Sequence, residues 1–325
     1  MKTFLEKVFN TFKKYMEIKK NYELAPLTTF KVSGRAEFFV AVKNKRELLA
    51  ALNWAEAAKL PVWFFSGGSN ILFSGNQVKG LVIKISGERY SIKGRVIAAW
   101  AGTGLTKLAK AAGEQGLTGL EWAYGVPGSL GGAVRGNAGA YGSEIASAVT
   151  EAAAYDFKKN KFVKLTNRAC RFGYRQSIFK QNKNLIILHV KLKLNSGEPA
   201  EIKNLAGANF HHRLATKPKQ PSAGCIFKNL EYKNLLKANP ALARELAAKG
   251  LVRGGKIGVG YLIDRLGLKG KTCGGAKVSQ RHANFIVNTG KATAADIKSL
   301  INLIKKEIKN KHKINLEEEI QYFGN

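Results

Sequence analysis

Residues Tyr124–Gly142 read YGVPGSLGGAVRGNAGAYG, a short stretch holding seven glycines. A segment so poor in side chains builds no core. It exposes backbone N–H groups and lets a large anionic group come close to the main chain. A second loop, Phe65-Ser66-Gly67-Gly68-Ser69-Asn70-Ile71-Leu72, follows directly on the apolar run Leu60-Pro61-Val62-Trp63-Phe64. Either loop alone reads as a tight turn. Two such loops, each closing an apolar segment, point to a pyrophosphate-bearing cofactor held by backbone dipoles.

Outward from these loops the periodicity alternates. Ala36–Val42 reads as a strand, Arg46–Lys59 as a helix and Pro61–Phe65 as a strand again, a β-α-β unit that delivers the Ser66–Leu72 loop. Strands are expected at Gly80–Ile85, Arg95–Ala99, Val149–Phe157 and Leu185–Leu194, with a helix over Leu105–Gln115 ahead of the long glycine loop. The turn-rich Asn195-Ser196-Gly197-Glu198-Pro199 marks the expected domain junction. Beyond it, helical spacing covers Leu235–Lys249 and Ala294–Lys309, and Ala283–Val287 reads as a strand. The mixture is α+β.

At 325 residues the chain is long enough for about two domains. The apolar positions Phe4, Leu5, Val8, Phe9, Phe12 and Tyr15 suit a short amphipathic N-terminal helix, and recurring lysines exclude a secretory h-region. No apolar run reaches membrane-spanning length, so a cytoplasmic location is expected. The cysteines, Cys170, Cys225 and Cys273, are too few and too scattered for a disulfide framework or a zinc site. The adjacent His211 and His212 would face different directions, so no metal is expected. The formal charge of +32 comes from dispersed residues rich in lysine. It favours anionic ligands in general and leaves a basic nucleic-acid-binding protein as a reading from a different class. Gly102-Thr103-Gly104 lacks the third glycine of a dinucleotide fingerprint, and Gly270-Lys271-Thr272 lacks the glycine-rich cradle of a P-loop.

Taken in order, the motifs resemble one family, the UDP-N-acetylenolpyruvoylglucosamine reductases. They are Leu27-Thr28-Thr29-Phe30, Ser66–Asn70, Gly125–Ala133, Asn137–Gly142, Phe172-Gly173-Tyr174-Arg175-Gln176-Ser177, Pro221–Asn229, Gly274–Ser279, His282–Asn288 and Leu316–Ile320. The resemblance spans Asn21 to Gly324, and the short connection from Arg175 to Cys225 is similar to the compact subtype. It implies a vanillyl-alcohol-oxidase-like (PCMH-type) two-lobed FAD-binding fold with a C-terminal α+β substrate domain. The expected divisions are an N-terminal helical extension over 1–24, an FAD-binding part over 25–195 with lobes at about 25–90 and 91–195, and a substrate part with a catalytic tail over 200–325. The implied enzyme is an NADPH-dependent flavoprotein oxidoreductase of peptidoglycan synthesis, and so of cell wall biogenesis, cell shape and cell division. A monomer is favoured.

The resemblance also assigns residues. FAD, bound without a covalent link, would be held by Gly67, Gly68, Ser69 and Asn70, by Pro127, Gly128, Ser129, Gly131 and Gly132, and by Asn137 and Gly139. The substrate would meet Tyr141, Lys217, Asn229 and His282. Reduced flavin would pass hydride from N5 to C3 of the enolpyruvyl group. Arg175 would brace the carboxylate on which charge develops. Glu319 would orient or polarise that carboxylate or belong to the proton relay. Cys225 stands where the family commonly has the serine that protonates C2. A thiol, with an ordinary pKa of about 8.5, is the better acid of the two and is still mostly protonated at neutral pH. Other departures are Ser66 for the first of three glycines, Leu230 for a proline and Glu318 at a position that is often proline. A sugar or alcohol oxidase of the same superfamily is the nearest alternative. Many of those bind FAD through a histidine of the flavin domain, and this chain has none before His189.

Overall fold

The computed structural model describes residues 17–324. The expected N-terminal helix lies outside the described residues. The chain forms two compact units. Of the described residues, unit 1 comprises 17–22, 35–68 and 77–213, and unit 2 comprises 23–34, 69–76 and 214–324. Unit 1 therefore runs past the turn-rich 195–199 segment, and residues 69–76 count with the C-terminal part.

Unit 1 begins with strands β1 (Lys19–Glu23), β2 (Arg35–Val42) and β3 (Val62–Phe65), helix α1 (Lys45–Ala57) and strand β4 (Gln77–Ile85). They form a sheet in the order β1-β2-β4-β3, in which β2 and β3 run parallel to β4. α1 starts where Asn44 accepts the Glu47 N–H at 2.9 Å while the Glu47 carboxylate accepts the Lys43 N–H at 2.7 Å. Such a reciprocal cap is worth ~1 kcal/mol. Leu48, Ala51, Trp54 and Ala55 repeat at helical spacing and are buried against the sheet, with Phe38 edge-on to Trp54.

A second sheet is wholly antiparallel. It contains β5 (Tyr90–Lys93), β6 (Val96–Trp100), β7 (Val149–Asp156), β8 (Lys161–Thr166) and β9 (Leu185–Lys193), in the order β8-β7-β9-β6-β5. Helix α2 (Leu105–Glu114) precedes the glycine-rich segment, and α3 (Leu130–Gly136) forms inside it. Helix α4 (Pro199–Thr216), which the sequence pattern does not reveal, begins with proline at its first turn and buries only Ile202 and Ala206. So narrow an apolar stripe leaves little periodic signal.

Unit 2 has its own core, drawn from Phe30, Leu72, Phe227, Ile257, Leu262 and the buried face of the helix over Ala294–His312 among others. Its expected helix over 235–249 is two helices, α5 (Tyr232–Ala238) and α6 (Pro240–Ala248). Pro240 cannot donate within a helix, so it opens a new one, capped by Asn239. α7 (Ala294–His312) carries a Thr293–Asp296 capping box and buries Ile297, Leu300, Ile301, Ile304 and Ile308. The strand expected at 283–287 is shorter and later, Ile286–Asn288. Ile71–Phe73 pairs in parallel with Gln321–Phe323, so the end of the chain lies beside the segment that follows the first glycine loop. No described helix is long and apolar enough to cross a membrane.

Candidate active site

In unit 1 the two glycine-rich loops touch. A Cβ built on Gly67 would lie 2.5 Å from Gly128 Cα and 2.6 Å from the Ser129 nitrogen. β3 ends at Phe65, and the Ser66 hydroxyl then donates to the Ile85 carbonyl at 2.6 Å, which gives this departure from glycine a structural partner. Gly68 follows with φ of +61°. The longer loop is pinned by the Gly102-Thr103-Gly104 turn. Leu130 N–H donates to Thr103 O at 2.8 Å, Leu105 N–H to Gly128 O at 3.0 Å, and Gly131 N–H to Ala101 O at 2.8 Å. A Cβ on Gly131 would sit 2.8 Å from the Ala101 Cβ, and one on Gly102 would be 2.5 Å from the Ser86 oxygen. The turn dismissed as a fingerprint is thus the seat of the glycine loop. Ser129 caps α3 by accepting the Gly132 N–H at 3.3 Å, while Pro127 is exposed.

Asn137 ends α3 in the left-handed region, with φ of +44°, and is fully buried. Its amide donates to Gly173 O at 3.0 Å and accepts from Ala146 N–H at 3.2 Å, so the side chain serves the protein itself. Arg175 sits in a turn closed by Gly173 and Gln176, with φ of +54°. Its guanidinium donates to Asn137 O at 3.3 Å and Gly139 O at 3.0 Å. Arg175, Asn137 and Gly139 are therefore one cluster. Tyr141 is exposed on the next turn. Its hydroxyl donates to Asn209 O at 3.1 Å, its ring meets His212 edge-on, and the Arg213 guanidinium lies 5.5 Å from the ring centre.

In unit 2, Cys225 and Glu319 lie on two paired segments. The Glu319 N–H donates to Ile226 O at 2.7 Å, Phe227 bridges Glu318, and Lys228 N–H donates to Glu317 O at 2.9 Å. Both Cys225 and Glu319 are half-buried. Gly224, with φ of +80°, turns the chain immediately before the thiol. Ser69 and Asn70 belong here as well. The Asn70 side-chain amide donates to Glu319 O at 3.1 Å, and the Asn70 main-chain carbonyl accepts the Gln321 N–H at 3.0 Å.

Asn284 carries no motif chemistry by itself, yet it holds the thiol's segment. Its Oδ1 accepts the Phe227 N–H at 3.0 Å, its Nδ2 donates to Phe227 O at 2.8 Å, and its carbonyl accepts the Ile226 N–H. Its position inside the 282–288 motif was the one available sequence signal. His282 accepts the Asn284 N–H at Nδ1, 3.2 Å away, which places the neutral ring's proton on Nε2. Burial, and then the positive charge of Lys217, pull the His282 pKa down to about 4. Lys217 Nζ lies 5.1 Å from the Phe285 ring centre, and Asn229 is exposed. Cys170 is fully buried, and burial pushes its thiol up to about 11, an inert core position.

Two family models match the chain. An FAD binding domain covers residues 36–164, and the C-terminal domain of UDP-N-acetylenolpyruvoylglucosamine reductase covers residues 217–323. A UDP-N-acetylenolpyruvoylglucosamine reductase of Synechococcus sp. (strain RCC307) is 36% identical over 314 residues, 95% of each chain. One from Acaryochloris marina (strain MBIC 11017) is 37% identical over 313 residues, 95% of this chain and 93% of its own. The crystal structure of the Thermus caldophilus reductase, 31% identical, superposes over 95% of this chain and 99% of its own with a TM-score of 0.76. The chain belongs to the UDP-N-acetylenolpyruvoylglucosamine reductase family.

Proposed function

We propose that this chain is an FAD-dependent, NADPH-consuming reductase that converts UDP-N-acetylenolpyruvoylglucosamine to UDP-N-acetylmuramate. Family membership supports the reaction. The observation that carries the cofactor is the contact of the two glycine loops, where Gly67 packs on Gly128 and Ser129 with no room for a side chain. A pyrophosphate needs this kind of backbone-lined surface. Unit 1 is the FAD-binding part in this reading, with Gly67, Gly68, Pro127, Gly128, Ser129, Gly131 and Gly132 lining the loops. Unit 2, which also contains Ser69 and Asn70, is the substrate part. Gly139 and Asn137 act through Arg175, since their carbonyls receive its guanidinium.

FAD, once bound and reduced by NADPH, would supply the hydride that the C3 carbon of the enolpyruvyl double bond receives. Arg175 braces the substrate carboxylate as negative charge builds on C2 and the carboxylate. A well-placed donor of this kind contributes ~3–4 kcal/mol to the transition state. Its two bonds to backbone carbonyls orient the fork in advance. Glu319 polarises or orients the same carboxylate, and its main chain is held at both the N–H and the carbonyl. Cys225 delivers a proton from Sγ to C2, and solvent then reprotonates the thiolate. Lys217 faces the UDP diphosphate together with Asn229. His282, neutral above pH 4, offers Nε2–H as a donor, and Tyr141 meets the nucleotide.

The purified protein tests this directly. It should be yellow and release intact FAD on denaturation. NADPH should bleach it, and the enolpyruvyl-UDP-sugar should restore the colour. Protein that cannot be reconstituted with FAD refutes the proposal. Reoxidation by oxygen with an alcohol or sugar donor, and none by the enolpyruvyl substrate, would instead identify an oxidase.

A further inference from the structure

Three consecutive acids, Glu317, Glu318 and Glu319, stand in the chain's last motif. The Glu317 carboxylate pairs with Lys228. Glu318 uses both oxygens: Oε1 accepts from Lys305 Nζ at 2.9 Å and Oε2 from the Tyr322 hydroxyl at 2.5 Å. Its side chain is only 19% exposed. Lys305 stands on α7, and Lys298, two turns earlier on that helix, lies 5.2 Å from the Tyr322 ring centre. Burial, together with the bond to Glu318, raises the Tyr322 pKa above the ordinary phenol value, so the hydroxyl stays a donor. The tail is thus tied to α7 through Glu318, while its main chain is tied to Ile226, Lys228 and Asn70.

Successive side chains of an extended segment take opposite faces. Fastening Glu318 to the helix therefore sets the rotation of the segment about its own axis, and with it the direction of Glu319. We propose that Glu318, anchored by Lys305 and Tyr322, is a positioning residue that aims Glu319 at the substrate. This rests on the reading of Glu319 as a catalytic acid. A positioning role predicts a loss confined to the step in which Glu319 acts, because a displacement of about 1 Å in a reacting group costs up to ~100-fold.

The test follows both half-reactions by flavin absorbance in the FAD-loaded full chain, for Glu318→Ala, Glu318→Gln, Tyr322→Phe and Glu319→Gln. For Glu318→Ala, bleaching by NADPH should stay within about twofold of the parent, while reoxidation by the enolpyruvyl-UDP-sugar slows about tenfold or more at saturating substrate with KM little changed. Glu318→Gln keeps the length and an acceptor for Tyr322, so it should recover most of the rate. Tyr322→Phe should show part of the loss, and it serves as the deciding variant if Glu318→Ala fails to fold. Glu318→Ala, or in its place Tyr322→Phe, reoxidising at the parent rate while Glu319→Gln is slow overturns the positioning role alone. Equal slowing of both half-reactions overturns it too, since that marks a general structural defect. Glu319→Gln at the parent rate removes the catalytic acid and this proposal with it.

Discussion

Gly67 lies so close to Gly128 that a Cβ on the first would stand 2.5 Å from the Cα of the second, a separation real Cβ atoms do not show. The obstacle is backbone, which cannot swing aside as a flexible side chain would. Gly67→Ala should therefore push the loops apart, at ~1–3 kcal/mol, and weaken FAD retention. Gly136 is the control from the same glycine-rich stretch: it ends α3 with open space around it, so Gly136→Ala should be neutral or slightly stabilising. Bound flavin per protein after gel filtration, with thermal unfolding, separates the two. Equal flavin content in both variants would count against the contact's role.

Asn284→Ala strips two side-chain hydrogen bonds from the buried main chain of Phe227. Each orphaned group costs about 1–3 kcal/mol, so the variant should unfold well below the parent temperature. Asn284→Asp should recover little, because an ionised carboxylate cannot donate to Phe227 O. Calorimetry on the three proteins decides this. A melting temperature within a degree or so of the parent for Asn284→Ala would contradict the packing described.

Cys225→Ser should keep substantial turnover, since a hydroxyl can occupy the donor position. Cys225→Ala should still be bleached by NADPH and then fail to complete substrate reduction. In deuterated water the parent should place solvent deuterium at C2 of the product, readable by mass spectrometry and NMR. Arg175→Ala should likewise spare bleaching and slow reoxidation by about a hundredfold or more. Near-parent turnover by Cys225→Ala would leave the proton to another group.

His282 makes stability depend on pH. Unfolded, it takes up a proton near its ordinary value of 6.5; folded, it resists until about 4. The unfolded chain therefore binds more protons between these values, and stability declines as pH falls from 6.5 toward 4. His189 and His312, whose pKa values are also lowered chiefly by burial, act in the same direction. His282→Gln should flatten this decline without removing it. Urea midpoints at pH 7.5, 6 and 5 test the slope; an unchanged slope in the variant would show that His282 titrates normally in the folded protein.

Much of the architecture was legible because local signals agreed. The β-α-β unit over Arg35–Phe65, the antiparallel strands at Val149–Asp156 and Leu185–Lys193, and helix Ala294–His312 all announce themselves by apolar period. Helix Pro199–Thr216 escaped because it buries too little to leave a periodic stripe. The break at Pro240 was written in the residue, but the helical spacing on either side ran across it.

For the site, sequence alone determined which groups are available: side-chain-free loops, a thiol at 225, an arginine at 175 and three acids at 317–319. These are properties of residue type and order, and no folding is needed to read them. Tertiary structure decided which partners the neighbouring groups take. It committed the Asn137 amide to Gly173 and Ala146, gave Glu317 to Lys228 and Glu318 to Lys305 and Tyr322, and made Asn284 the brace behind Cys225. Asn284 and Phe227 are 57 positions apart, and Asn70 and Glu319 are 249 apart. Hydrogen bonds over such separations depend on where the whole chain closes, a property that no local window of sequence contains.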